Sequence, residues 1–408
     1  MSLAAAVLIG VNSYAFENME FGGDAKLFYG TIDSGDTDLF HKDGAAGNAA
    51  ASVDAEYNNK EKAVAVTAGV TYLTTMGLEN TLVSGTWAGN TVEDQVWIDE
   101  LKLTISPIEK TTAIVGRQYI DTPLAFSETW NIVSNSMDAV VIEDTHIPDT
   151  TLVGAWIGRG NGTAGFQVVD NNSTDMNLGG NYNSYGSAIV NAAGLNIASK
   201  GAYSVGAVTK LVPLTTLQAW YYDVESIAKA YWLQADVDFA GFTIGGQYAS
   251  VNPSENVDVA AGAALDDTTG YAFKIGFAPR DTGFSVSAAY SDVDDGNSPV
   301  QLANTATGAM NGAQSKLYTE AWWNFGYVGA SGTTAYNIVA EYANDIADLG
   351  LYYTSADNDA GDMMEVTASV SKSFGGFDTS LAYIFTDADN DNNGDSYNNI
   401  QVYLTYNF

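Results

Sequence analysis

The sequence predicts an all-β chain folded as a transmembrane antiparallel β-barrel of about 18 strands, with 16 the nearest alternative. Three observations carry this. Segments of about ten residues alternate apolar with small or polar side chains, as a tilted membrane strand requires. Connections between them alternate short and long, the pattern of short periplasmic turns and long outer loops. Beyond the extreme N-terminus no run of about 18 apolar residues is present, so a helical span is excluded.

Taken in order, residues 1–15 (MSLAAAVLIGVNSYA) form a short apolar run ending in Ser13-Tyr14-Ala15 before Phe16, the small-x-small pattern of a signal-peptidase site. The segment lacks a basic n-region, so it reads as a signal peptide truncated at its own start. The other reading is an apolar first strand. From residue 16 to 408 the chain reads as one barrel. Alternating faces appear at Val64, Val66, Ala68, Val70 and Tyr72, then at Tyr231, Leu233, Ala235, Val237 and Phe239 against Gln234, Asp236 and Asp238. They recur at Phe284, Val286, Ala288 and Tyr290, and at Phe377, Leu381, Tyr383 and Phe385. The last segment is the clearest, with Ile400, Val402, Leu404, Tyr406 and Phe408 on one face and Asn399, Gln401, Tyr403, Thr405 and Asn407 on the other. Short connections fall at Asn58 to Glu61, Pro107 to Lys110, Val212-Pro213, Ala240-Gly241, Pro279 to Thr282 and Gly375-Gly376. Long ones surround 33–49, 74–96, 120–137, 158–201, 252–268, 292–333 and 387–396. Lys316 to Gly326 (KLYTEAWWNFG) fits either a strand pair or an element folded over the mouth.

A barrel in lipid must close, because an unpaired edge has no water to satisfy its backbone groups. About 18 strands enclose a space too wide for side chains to fill, which implies an aqueous lumen unless loops plug it. Lys and Arg number 15 against 49 Asp and Glu, for a net charge of −34. Such a chain repels nucleic acid and draws cations to any enclosed space. No cysteine is present, so disulfides, thiolate metal sites and Cys nucleophiles are excluded. Only His41 and His146 could serve a hydrolase, and the turn parity places them at opposite ends of the barrel. An enzyme is not expected.

The ending IQVYLTYNF, with Phe408, Tyr406 and Leu404 on one face, resembles the C-terminal assembly signal of outer-membrane barrels. Three stretches together resemble the Campylobacter-type major outer membrane porin family and, more distantly, the OprD-like porins: WIDELKLTISPIEKTTAIVGRQ (97–118), YIDTPLAFSETWNIV (119–133) and AYSVGAVTKLVPLTTLQAWYYDVESIAKAYWLQADVDF (202–239). The resemblance implies a bacterial outer-membrane porin of 18 strands, assembled as a homotrimer. Its partners would be outer-membrane lipid, lipopolysaccharide and the barrel-assembly machinery. It also implies passage of small hydrophilic solutes through a pore narrowed by the third outer loop, here residues 120–137. Calcium is associated with that family, with no ligand residue transferable to this chain, and no other cofactor is expected.

A constriction that sorts solutes by charge needs acids and bases facing each other across the path. Asp121, Glu128 and Asp138 are the candidate acids in or beside the third loop, and Arg117 and Lys102 the candidate bases. For Arg117 a structural ion pair within the wall is the competing reading. Asp236 and Asp238 fall on the inner face by alternation. In the last outer loop Asp389, Asp391, Asn393 and Gly394 follow the D-x-D-x-N-G spacing of a calcium loop, but Ile400 occupies the twelfth position where a bidentate Glu belongs. That loop reads as solvated acid with weak divalent bridging, as do Asp33, Asp36 and Asp38, or Asp292, Asp294 and Asp295. The function expected is a passive, cation-preferring diffusion channel. The rivals are a substrate-selective channel and a structural or adhesive surface barrel with calcium-binding acidic loops.

Overall fold

The structure, a computed structural model, describes residues 18–408 apart from 60–62, 75, 79–80, 84–93, 130–131, 162–181, 187–196 and 308–312. Residues 1–15, read above as a signal peptide, lie outside the described residues. Of the 21 strands among the described residues, three are two-residue pairings and the other 18 make one closed antiparallel barrel. Each barrel strand pairs with its sequence neighbours, and the first, Met19–Ile32, pairs with the last, Tyr397–Asn407, in a register running from Asp24 opposite Asn407 to Ile32 opposite Asn399. Backbone bonds from Gly23 N to Phe408 O (3.1 Å) and back (3.0 Å) finish the seam. A Cβ at Gly23 would lie 2.4 Å from the Ser52 carbonyl and 2.8 Å from the Phe408 ring, so the close approach here admits only glycine.

One end of the barrel carries tight turns. Ala240-Gly241 and Gly375-Gly376 both have positive φ at the two central positions, the geometry of a two-residue hairpin turn matched to strand twist. The other end carries the loops, although two connections there, 225–227 and 358–362, are as short as turns. The outward face is apolar. Tyr221, Tyr231, Tyr248, Tyr271, Tyr290 and Tyr336 form a ring near the loop end, with centroids 5.2 Å apart for Tyr221–Tyr231 and for Tyr290–Tyr336. Near the turn end Phe239, Phe242 and Phe277, and then Phe374, Phe377 and Tyr406, form a second ring, with 4.5 Å between Phe242 and Phe277. The two rings stand roughly 20 Å apart along the strand, six residues from Phe242 to Tyr248. That separation is the scale of the apolar band of a membrane barrel.

The core lies inside the barrel rather than between layers. Loop 119–136 turns inward, with Asp121–Thr122 pairing with Ala125–Phe126 as a two-rung hairpin. Its Ile120, Leu124 and Ala125 pack with Trp220, Tyr222 and Trp232 of the inner wall and with Leu302, Ala306 and Leu317 of loop 294–333. Its Ile132 and Val133 pack on Phe28, Ala50, Leu73 and Trp97. The stretch 316–326 is therefore an inward loop element and not a strand pair, which leaves the strand number at 18.

Candidate functional site

Loop 294–333 is fastened along the inner wall by side chains that face the lumen. Glu365 is 1% exposed and its carboxylate accepts the Trp323 amide, the Asn324 amide at 2.8 Å and the Asn324 side chain at 3.0 Å. Farther along, Tyr318 donates to Asp236 at 2.6 Å and Asn337 donates to the Glu320 carbonyl at 3.2 Å. The two inward loops are joined by Glu128, whose Oε1 accepts the Asn304 side chain (3.0 Å) and the Gln314 amide (3.1 Å). Asn304 in turn bonds Phe126 N and O. Together the loops cover one side of the lumen.

A cleft of about 540 Å³ remains between loop 119–136 and the inner faces of the first four strands. Its charged lining is Asp24, Lys26, Asp54, Asp99, Glu100 and Asp121. Three of these acids carry a cation: Lys26 on Asp24 at 3.0 Å, Lys102 on Glu100, and Lys316, reaching from loop 294–333, on Asp121. Asp54 and Asp99 have no cationic partner among the described residues, and Asp99, 5% exposed, accepts hydroxyls from Thr71 (2.9 Å) and Tyr119 (2.8 Å). The cleft therefore holds an excess of two negative charges between low-dielectric walls, where fields are focused.

Asp99 and Glu100 both reach the lumen because the register slips between Gly69 and Val70, leaving Asp99 unpaired between outward Ile98 and outward Leu101. The consecutive acids in WIDEL break the period of two, and that break is the signal from which the bulge is readable. Lys316 carries no periodic signal, since it lies in an irregular loop.

Among the residues expected at a constriction, Asp121 lines the cleft and Lys102 stands beside it through Glu100. Glu128 is a buried clamp between loops. Asp236 is on the lumen face but covered by Tyr318 and Gln234, and Asp238 bonds Thr243 at 2.8 Å near the turn end. Arg117 and Asp138 differ from the expectation of pore lining. Arg117 is cross-strand from outward Leu101, and Asp138 follows the parity of Val140, which pairs with outward Val115, while Met137 and Ala139 face the core. They form an ion pair on the outward side of the wall, 2.8 Å from Nε to Oδ1.

The acids of the last loop are engaged by neighbouring protein groups. Asp389 accepts the Asp362 amide at 3.1 Å, Asp391 accepts the Tyr397 hydroxyl at 3.2 Å, and Asn393 sits at positive φ in a short 3₁₀ turn. Among the described residues no group of three or more His, Asp or Glu side chains is arranged to hold a metal ion.

Glu320, in loop 294–333, lies close to Glu128 of loop 119–136 and accepts the Ser315 amide at 3.1 Å. Burial pushes its carboxyl up to about 8, with nearby Glu128 adding to the rise and Lys316 opposing it. The folded loop thus binds a proton more tightly than the released loop. Loop packing is fully stable below the ordinary carboxyl value near 4.5 and weakens as pH rises toward 8. Limited proteolysis within 294–333 is expected to speed up between pH 5 and 9 in the wild-type barrel and to speed up less in Glu320→Gln. Equal pH dependence in both would assign the effect elsewhere.

No protein-family model matches the chain, and no curated sequence does. Solved structures do. OccK3 (OpdO) of Pseudomonas aeruginosa superposes with a TM-score of 0.70 at 13% identity, covering 96% of both chains. OccK8 (OprE) of the same organism gives 0.70 at 15%, covering 96% of this chain and 98% of that one. A BenF-like porin from Pseudomonas fluorescens Pf-5 gives 0.69 at 14%, covering 96% and 99%. The fold is that of the OprD-like porins.

Proposed function

We propose that this chain is a bacterial outer-membrane porin, a passive and cation-preferring diffusion channel for small hydrophilic solutes. The observation that carries the reading is the cleft inside the barrel beside the inward loops, lined by charged side chains and holding two acids without a cationic partner among the described residues. A barrel whose outer face is apolar and whose interior holds a charged cleft suits a membrane, and lumen charge of one sign sets ion preference. The three stretches that resemble the Campylobacter-type porins support a place in that branch, together with its homotrimer. Leu404, Tyr406 and Phe408, which face outward beside the closing seam, are proposed as the assembly signal.

A second reading draws on the two loops that fold into the lumen: a plugged surface barrel that binds a partner through its outer loops. Liposome swelling separates the two. A channel gives swelling that falls steeply as the solute grows from a pentose to a trisaccharide. Verified insertion with no swelling for any solute would reject the channel and favour the plugged barrel.

A further inference from the structure

The chain has three arginines, and two of them meet on the outward face of the wall, away from the cleft. Both address Asp138: Arg117 Nε donates to Oδ1 at 2.8 Å and Arg159 Nη2 donates to Oδ2 at 2.6 Å. Arg117 is fully committed, since it also donates to the Ile98 carbonyl at 2.8 Å and lies 3.3 Å from the Tyr182 ring centroid. Arg159 is not. Its side chain is 58% exposed, and Asp138 is its one ion-pair partner among the described residues. The group carries two positive charges against one negative, a local excess of the sign that the rest of the chain lacks.

Its height on the wall is informative. Outward Val115 lies two residues before Arg117, and outward Trp156 three residues before Arg159, with a bulge between. The arginines therefore stand just past the last apolar residues of these strands, at the loop end. On a membrane barrel that level meets lipid headgroups, and a guanidinium there avoids the penalty it would have at mid-membrane. A guanidinium held at one edge by a carboxylate presents its remaining N–H donors as a planar fork, the geometry that matches a phosphate.

We infer that Arg159, held in place by Asp138 and Arg117, forms a lateral docking site for the phosphorylated headgroup of an outer-leaflet lipid. The site faces sideways off the wall, so its ligand arrives from the bilayer rather than from the lumen. The inference rests on the reading of the wall as membrane-spanning.

The test is native mass spectrometry of the detergent-purified barrel titrated with dioctanoyl phosphatidic acid, alongside single-channel recording of each variant. Wild type is expected to hold the lipid, and Arg159→Gln to weaken binding about tenfold with unchanged conductance. Arg280→Gln, in the turn after Phe277 at the other end of the barrel, is expected to bind as wild type. Asp138→Asn loosens the orientation of Arg159 but also removes the competing negative charge, so it is expected to bind within about threefold of wild type, whereas a merely structural cluster would lose binding with either change. Equal binding by wild type and Arg159→Gln would overturn the site. So would competition by equimolar inorganic phosphate, which would assign it to a free anion, or a change in subunit number with lipid binding unaltered, which would assign it to a contact between copies. Loss of the lipid site with conductance intact leaves the channel standing. A silent bilayer rejects the channel independently.

Discussion

Replacing Asp54 and Asp99 together by asparagine is expected to lower the potassium-to-chloride permeability ratio several-fold, bringing the channel close to non-selective. These are the two cleft acids without a cation, so their removal cancels the excess charge while the three paired acids remain neutralised by Lys26, Lys102 and Lys316. Each charge acts on a permeating ion at roughly 8 Å across partly wet space, worth about 1 kcal/mol, or about fivefold. Asparagine keeps a carbonyl oxygen for the Thr71 and Tyr119 hydroxyls at position 99, so folding is expected to survive. Lys316→Gln provides the opposite sign, because it strips Asp121 of its partner, and the ratio is expected to rise. Reversal potentials under a KCl gradient check both. An unchanged ratio in the double variant would place the selective field outside the cleft.

The second large effect is expected from Glu365→Ala. Glu365 collects three donors from Trp323 and Asn324, and of these the Asn324 side-chain amide has a second acceptor, the buried Thr386 hydroxyl at 2.9 Å. Losing a charged acceptor in a buried network is worth about 3 kcal/mol, enough to release the segment around 320–328 from the wall. Single-channel conductance is expected to rise by roughly half or more as the loop vacates the lumen, with new proteolytic cleavage inside 294–333. Glu365→Gln, which keeps one acceptor oxygen, is expected to fall between. Unaltered conductance in the alanine variant would show that this loop does not limit the open area.

The strand pattern was legible in the sequence because lipid outside and water inside give every strand the same two-faced chemistry, most plainly at Tyr397–Asn407 and Ala228–Phe239. The loops were not, for the opposite reason. Loop 294–333 folds inward through isolated polar contacts such as Tyr318 to Asp236 and Asn324 to Glu365, each 40 or more residues apart in the chain, and such pairings leave no periodic trace. The connections 225–227 and 358–362 escaped notice because they are short yet lie at the loop end. Arg117 is a candidate base from its place next to the third loop, but two residues beyond Val115 is again the outward face, and it makes an ion pair on the wall. Asp99 and Glu100 share the lumen face only because a bulge brings adjacent residues to one side, which strict alternation does not predict. Acidity was readable from composition, but which acids are paired was not, since Lys316 meets Asp121 across 195 residues.

Single-channel recording of the detergent-purified protein in a planar bilayer, under a KCl gradient, tests the central claim most directly. Stable conductance steps with a reversal potential favouring potassium over chloride are the result expected from an open cleft with two uncompensated carboxylates. A silent bilayer after verified insertion, or a reversal potential favouring chloride, would contradict it.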